Sequence, residues 1–530
     1  MDQLSFLRLL DVSLISFGIW LLMKVAQSTR RRLVATKLNG PPRANLLFGQ
    51  GQALASSDDA GSLYEDWEKT YGPAFYVPST LGTTRIALCD PRAVAHFYAK
   101  ENSVYVRPEF ARILVEKLTG RSIIWAEGED HRRQRKAMTP AFSNVSISNI
   151  TKVFYDSAYK AIESWSSVID DDYSGAVIEV QSWMSRISLD TIGIAGFSHD
   201  FGTLDGRHCA VADIFERFTS TKPSLFFKFS LMIGLVFPWV MKPSFGRSKL
   251  TPLLNNALGD VANHLIGDAP SSEGDRSVLG LLVKAASHES KLSMDQEEVL
   301  SQIKLLLVAG YETTSISLTW ALIEIAQNQD CQHKLRTELS RFVTTDPTYE
   351  ELTNGLPYLN AVVLETLRLH PPFHDTVRIA SKDDIIPLGT PLTDASGKRA
   401  DHIAVAKGTE IVVSIQYMNR AEKFWGPDAK AFSPERWLES GGLRAGAREI
   451  QGHRHLLTFI DGPRTCLGKA FALAEMKAVL SVLVRKFKFE LRDGNVADVE
   501  LARGILPRPK IVGEKGADAP LRVSRVECSE

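Results

Sequence analysis

Phe459-Ile460-Asp461-Gly462-Pro463-Arg464-Thr465-Cys466-Leu467-Gly468 is the stretch that decides how this chain is read. Gly462 and Pro463 predict a tight turn, because glycine tolerates positive φ and proline presets its own φ. Beyond Cys466 the apolar residues Phe471, Leu473, Ala474, Met476, Ala478 and Val479 recur at mostly helical spacing. The thiol therefore lies near a helix N-terminus. That dipole end, with Arg464 close by, favours a thiolate over a thiol. Gly468 has no Cβ, so something large and flat can approach the backbone there. The residues predict a sulphur ligand for a metal; the alternative is a buried free cysteine beside a Gly-Pro turn.

Phenylalanine followed by Gly, Arg, Cys and Gly at offsets 3, 5, 7 and 9 resembles the haem-binding loop of the cytochrome P450 superfamily. In that family the cysteine thiolate is the axial ligand of haem iron and pushes electron density toward O–O cleavage. The resemblance implies haem b (iron protoporphyrin IX) as cofactor and Cys466 as its iron ligand. It also implies Phe459, Arg464 and Gly468 as cofactor contacts from the same loop.

The 530 residues carry 62 Lys and Arg against 62 Asp and Glu, a net charge of zero. No basic excess supports phosphate contacts, so nucleic acid is not expected as a partner. Five cysteines (Cys89, Cys209, Cys331, Cys466 and Cys528) are scattered and lack CxxC spacing, which fits neither a zinc framework nor a secreted disulfide scaffold. Length alone suggests about three domains.

Leu4 to Met23 is largely apolar and just long enough to span a bilayer. The basic residues Lys24, Arg30, Arg31, Arg32 and Lys37 follow, which holds the rest of the chain on the cytosolic side. Residues 1–29 are thus expected to be a membrane anchor, with a surface-lying amphipathic helix as the alternative. Residues 30–43, ending in Gly40-Pro41-Pro42, read as a hinge. This order is similar to endoplasmic-reticulum members of the family.

Ala74 to Val77 and Arg85 to Leu88 predict paired strands around Leu81-Gly82. Tyr105 to Pro108 is read as closing a helix. The basic run from Asp130 to Lys136 starts another helix, with His131 and Arg135 on one face. These two match family positions, commonly Trp and Arg, whose side chains bind a haem propionate; the histidine departs from the commonest pattern. Asp170 to Asp172 and Ser271 to Asp275 read as polar loops. The apolar stretch from Leu225 to Val240 resembles a lid dipping into the membrane surface, or is ordinary core helix.

Gln296 to Gln327 predicts a long buried helix. Ala309-Gly310-Tyr311-Glu312-Thr313-Thr314 at its middle places an acid and hydroxyls where helix propensity disfavours them. The match to the family's acid–alcohol pair implies Thr313 and Glu312 as proton-delivery residues, Ala309 as a cofactor neighbour and Gly310 as cleared space. Pro357 to His370 is a further helix, with Glu365 and Arg368 on one face. With Arg436 of Pro434-Glu435-Arg436-Trp437 they resemble the family's buried charged triad, a structural feature. Arg378, in the stretch after that helix, matches a propionate-binding arginine, and His374 reads as pocket wall or surface. Glycines 389, 397 and 408 are read as turns between short strands. Phe487 to Leu491 alternates as a strand, with Ile511-Val512 as the expected partner, and residues 516–530 as a loose tail.

The resemblance thus implies a mainly α fold with a smaller β-rich portion near the N-terminal third. A single catalytic domain over 44–515, not three domains, would follow the anchor. The implied activity is monooxygenation of a lipophilic small molecule such as a terpenoid or other secondary metabolite. O2 would be activated with electrons from NADPH through a separate reductase, with cytochrome b5 as a further donor. The alternatives are a haem-thiolate isomerase or dehydratase, a non-catalytic haem-binding protein, and a non-haem protein with a chance motif. Ile123, Ile124, Leu306, Ala309 and Phe373 are the candidate pocket residues.

Overall fold

The computed structural model describes residues 29–30, 33–169, 175–220, 233–234, 237–241, 250–267, 278–286, 294–438, 442–494, 499–503, 506–514 and 516–526. The expected anchor 4–23, the polar loops 170–172 and 271–275, and most of the apolar stretch 225–240 lie outside the described residues.

Helices dominate the molecule, and the longest, Gln296–Gln327, runs through its core. Asp295 starts it with a capping box: its carboxylate accepts the Glu298 N–H at 2.7 Å while the Glu298 side chain accepts the Asp295 N–H at 3.2 Å. Among the described residues this is the one helix long and apolar enough to cross a membrane, but 83% of its apolar window is buried inside the protein. It is a core helix. Around it pack Val180–Phe197, Leu250–Gly267, Pro357–Leu369 and Lys469–Lys486. Gly310 serves that packing: a Cβ there would meet Ile192 Cγ1 at 2.8 Å. The sequence predicts space cleared for the cofactor at this glycine; the structure uses it for close helix approach.

The main sheet has five strands in the order Ala74–Pro78, Thr84–Leu88, Glu410–Ser414, Asp375–Ala380 and Tyr105–Val106. The first two form the expected hairpin, with Leu81 and Gly82 both at positive φ in the turn. Thr84–Leu88 then pairs in parallel with Glu410–Ser414, so the β portion is shared between the N-terminal third and the region after residue 374. Tyr105–Val106 is a strand, not a helix end. Helix Pro91–Ala99 has already stopped, and Tyr105 is fully buried while its backbone faces Ala380. Gly389 lies within strand Asp384–Thr393, not at a turn, and its N–H donates to Asp90 at 2.9 Å.

The C-terminus differs most from expectation. Phe487–Leu491 is a strand, but its partner is Pro520–Arg525, and Ile511 pairs with Val499 instead. Pro520–Arg525 is the middle strand of three, with Ala176–Glu179 on its other side. The predicted loose tail is therefore anchored over these residues. Leu521 and Val523, two apart and so on one face, are fully buried, and this short alternation was hidden among charged neighbours.

Candidate functional site

The cysteine loop is built by one glycine and one hydrogen bond. Gly462 has φ +70°, and a Cβ there would lie 2.4 Å from the Tyr98 carbonyl oxygen. The Cys466 N–H donates to the Phe459 carbonyl at 2.9 Å, closing the loop. Gly468 is the N-cap of helix Lys469–Lys486, and a Cβ on it would meet only Phe142 Cε1, at 3.9 Å. The Cys466 side chain lies deep in the fold, so that burial pushes its thiol pKa up, against the Gly468 N–H, Arg135 and Lys469, which pull it down. The residue's surface is nonetheless exposed, so the thiol is surrounded by protein without being covered by it. Arg464 does not act on the thiol as the sequence predicts. Its guanidinium donates to the Ala126 carbonyl at 2.8 Å and pairs with Glu127.

Cations crowd the surroundings of this loop. Arg378 forms an ion pair with Glu101 at 2.8 Å, and both are buried. Arg107 donates through Nε to the Ile124 carbonyl at 2.9 Å, and its backbone N–H donates to Glu127 at 2.9 Å. Burial, with Arg378 and Arg464 nearby, pushes Arg107 down to about 9. His131, on helix Gly128–Met138 with Arg135, is pushed down to about 3 by burial and by Arg464, Arg135 and Arg107. It is therefore neutral. Three guanidiniums, Arg107, Arg378 and Arg464, thus face two carboxylates, Glu101 and Glu127, with Arg135 near His131 and Cys466, and the buried Arg464 Nε has no partner among the described residues. Arg107, Glu101 and Glu127 escaped sequence reading, because nothing local marks an arginine before a proline as buried.

Along the middle of the central helix, Leu306, Ala309, Gly310 and Thr313 are partly open, whereas most residues around them are buried. Their spacing of three and four makes one stripe. The Ile123 N–H donates to the buried Gln302 side chain at 3.0 Å, one turn before Leu306, which brings the expected pocket residues Ile123 and Ile124 to this helix. Phe373 is 49% exposed. Thr313 Oγ1 donates to the Ala309 carbonyl at 2.7 Å. Glu312 points elsewhere: both its oxygens are held by Arg508, at 3.0 and 2.7 Å, in a pair that is almost fully buried. Burial alone would lower the Arg508 pKa, but Glu312 raises it above its ordinary value.

The three structural charges come together. Arg368 reaches both Glu365 oxygens at 2.8 Å, Arg436 Nε reaches one at 2.8 Å, and Trp437 Nε1 reaches the other at 2.9 Å. Arg368 also donates to the carbonyls of Asn419 and Ala429, which fixes the chain leading to the cysteine loop. His374 is half-buried, and no group of three metal-binding side chains occurs among the described residues.

The chain matches the cytochrome P450 family over residues 39–511. It is 51% identical to cytochrome P450 monooxygenase claP of Ampulloclitocybe clavipes, over 99% of this chain and 100% of that one. It is likewise 51% identical to claQ of the same fungus over 98% of each chain. Cytochrome P450 monooxygenase 128 of Postia placenta is 35% identical over 92% of each. This chain belongs to the cytochrome P450 family, and it is a P450 monooxygenase with the family's haem cofactor.

The site residues fit that cofactor. Arg107, Arg378 and Arg464 outnumber Glu101 and Glu127 by one, and Arg135 adds a further cation beside His131; this excess of positive charge suits the propionates of a haem, since buried charges require partners. The open surface of Cys466 and the unobstructed Gly468 suit a flat group lying over a thiolate.

Proposed function

We propose that this protein is a haem-thiolate monooxygenase that oxidises a lipophilic small molecule in secondary metabolism, a terpenoid being the leading class. The observation that carries the reading is Cys466, an open sulphur deep in the fold, backed by Arg135 and the start of a helix. When bound, the haem supplies oxygen activation, driven by electrons from NADPH through a separate reductase, with cytochrome b5 as a second donor.

The chain's own residues bind, orient and move protons around it. Cys466 ligates the iron. Arg107, Arg135, Arg378, Arg464 and His131 hold the carboxylates, while Phe459, Gly468 and Ala309 border the ring. Thr313 Oγ1, whose proton is given to the Ala309 carbonyl, keeps lone pairs free to accept a hydrogen bond on the open side. Glu312 reaches Thr313 only by leaving Arg508, so Arg508 sets when that acid takes part. The apolar side chains of Ile123, Ile124, Leu306 and Phe373 favour an apolar substrate and exclude water. The catalytic domain faces the cytosol from the endoplasmic-reticulum membrane, held by residues 1–29 after the 30–43 hinge.

The test is spectroscopic, then catalytic. The reduced protein with carbon monoxide gives the red-shifted Soret band of a thiolate-ligated haem, and Cys466→Ala lacks it. Lipophilic substrates are then turned over only with NADPH, reductase and O2. Substrate conversion without O2 or reductase would point instead to an isomerase or dehydratase.

A further inference from the structure

One short turn after helix Pro91–Ala99 presents two adjacent side chains to the cofactor cluster. Glu101 pairs with Arg378, and Asn102 places its amide nitrogen 2.9 Å from His131 Nδ1. Asn102 has φ +76°, left-handed backbone that asparagine tolerates better than most residues. Its own Oδ1 is buried without a hydrogen-bond partner among the described residues. The turn holds this side chain against the imidazole at some conformational cost.

His131 stands where the family commonly has tryptophan. An indole has one nitrogen and always donates; a neutral imidazole has one donor and one acceptor, and which nitrogen donates depends on the partner of the other. His131 is 3% exposed, and burial first, then the guanidiniums around it, keep it neutral. With the Asn102 NH2 group at Nδ1, that nitrogen is the acceptor and the proton sits on Nε2. No hydrogen-bond partner for Nε2 occurs among the described residues. The opposite end of the amide would move the proton to Nδ1 and leave Nε2 unable to donate.

We propose that Asn102 is a positioning residue that selects the Nε2–H tautomer of His131, so that the imidazole donates to a haem propionate as an indole would. The proposal rests on the haem reading above. Histidine at this position needs Asn102; tryptophan does not.

The experiment measures the rate at which ferric holoenzyme loses haem to excess apomyoglobin, with the reduced carbon-monoxide spectrum recorded for every variant. Asn102→Gly removes the amide and suits the positive φ. It accelerates haem loss about ten-fold or more, the size of one hydrogen bond to a charged group. In a His131→Trp background, whose indole N–H needs no tautomer selection, adding Asn102→Gly produces no further acceleration. Equal acceleration in both backgrounds would overturn the proposal, because Asn102 would then only shape the turn. So would an unchanged rate in Asn102→Gly. A parent protein without the thiolate band would overturn the haem reading itself, which separates the two failures.

Discussion

Glu312 and Arg508 form a two-pronged ion pair between the middle of the central helix and strand Pro507–Ile511, with both side chains almost fully buried. The pair ties the central helix to the antiparallel strands Val499–Arg503 and Pro507–Ile511. A buried pair of this kind contributes little over an apolar replacement, yet losing one member strands the other as an unpaired charge.

Arg508→Met is therefore expected to destabilise the fold by roughly 3–5 kcal/mol. Replacing Glu312 by Met in the same chain recovers most of that loss. Urea unfolding of the single and double variants checks this, and a double variant no better than the single would contradict it.

Thr313→Ala removes the hydroxyl that bonds Ala309 and faces the open stripe. Oxygen and NADPH consumption continue, hydrogen peroxide rises, and product falls by up to about 10²-fold, the lower range for a lost proton-transfer group. Simultaneous assay of NADPH, peroxide and product reads the partition directly. Unchanged coupling would remove Thr313 from proton delivery.

Glu475, on the helix that follows the cysteine, is fully buried. Among the described residues neither carboxylate oxygen has a well-formed hydrogen bond, and the nearby Ser188 hydroxyl offsets the burial only in part. Burial raises its pKa well above the ordinary carboxylate range, so the folded state keeps a proton that the unfolded state releases above about pH 4.3. Stability then declines as pH rises from there toward the folded pKa, by up to about 1.4 kcal/mol per unit. Glu475→Gln lacks this decline. Its urea midpoint matches the parent near pH 4.5 and exceeds it at pH 7.5; parallel curves would refute the assignment.

Removing residues 516–530 takes out the middle strand Pro520–Arg525. Leu521 and Val523 together account for about 3–6 kcal/mol of apolar burial. The truncated protein is expected to melt lower and to aggregate through the two freed strand edges. A truncated protein with the parental melting temperature would return those residues to the status of a tail.

What could be read from the sequence was local or periodic. The central helix is legible because its apolar pattern and capping residues lie within one stretch, and the cysteine loop because Gly462 and Cys466 are four residues apart. The pairing of Glu365 with Arg436 was reachable only through resemblance, since neither residue carries a sign of burial. Arg107, Asn102 and Arg508 were missed for the same reason: their roles exist only once distant segments meet. Pro520–Arg525 was missed because two buried side chains among charged neighbours give too short an alternation to distinguish from loose chain.

The parallel pairing of Thr84–Leu88 with Glu410–Ser414 also sets a timetable. The first strand leaves the ribosome about 320 residues before its neighbour exists, an interval of roughly 16–64 s at ordinary synthesis rates. During that interval the edge later covered by Glu410–Ser414 stands bare. The strand Pro520–Arg525, which closes the second sheet, arrives later still. The cysteine loop at 459–468 emerges between these two events, so it is made before the strand that completes the second sheet. The second sheet, and with it the packing behind the cysteine helix, is complete only after Pro520–Arg525 has been made.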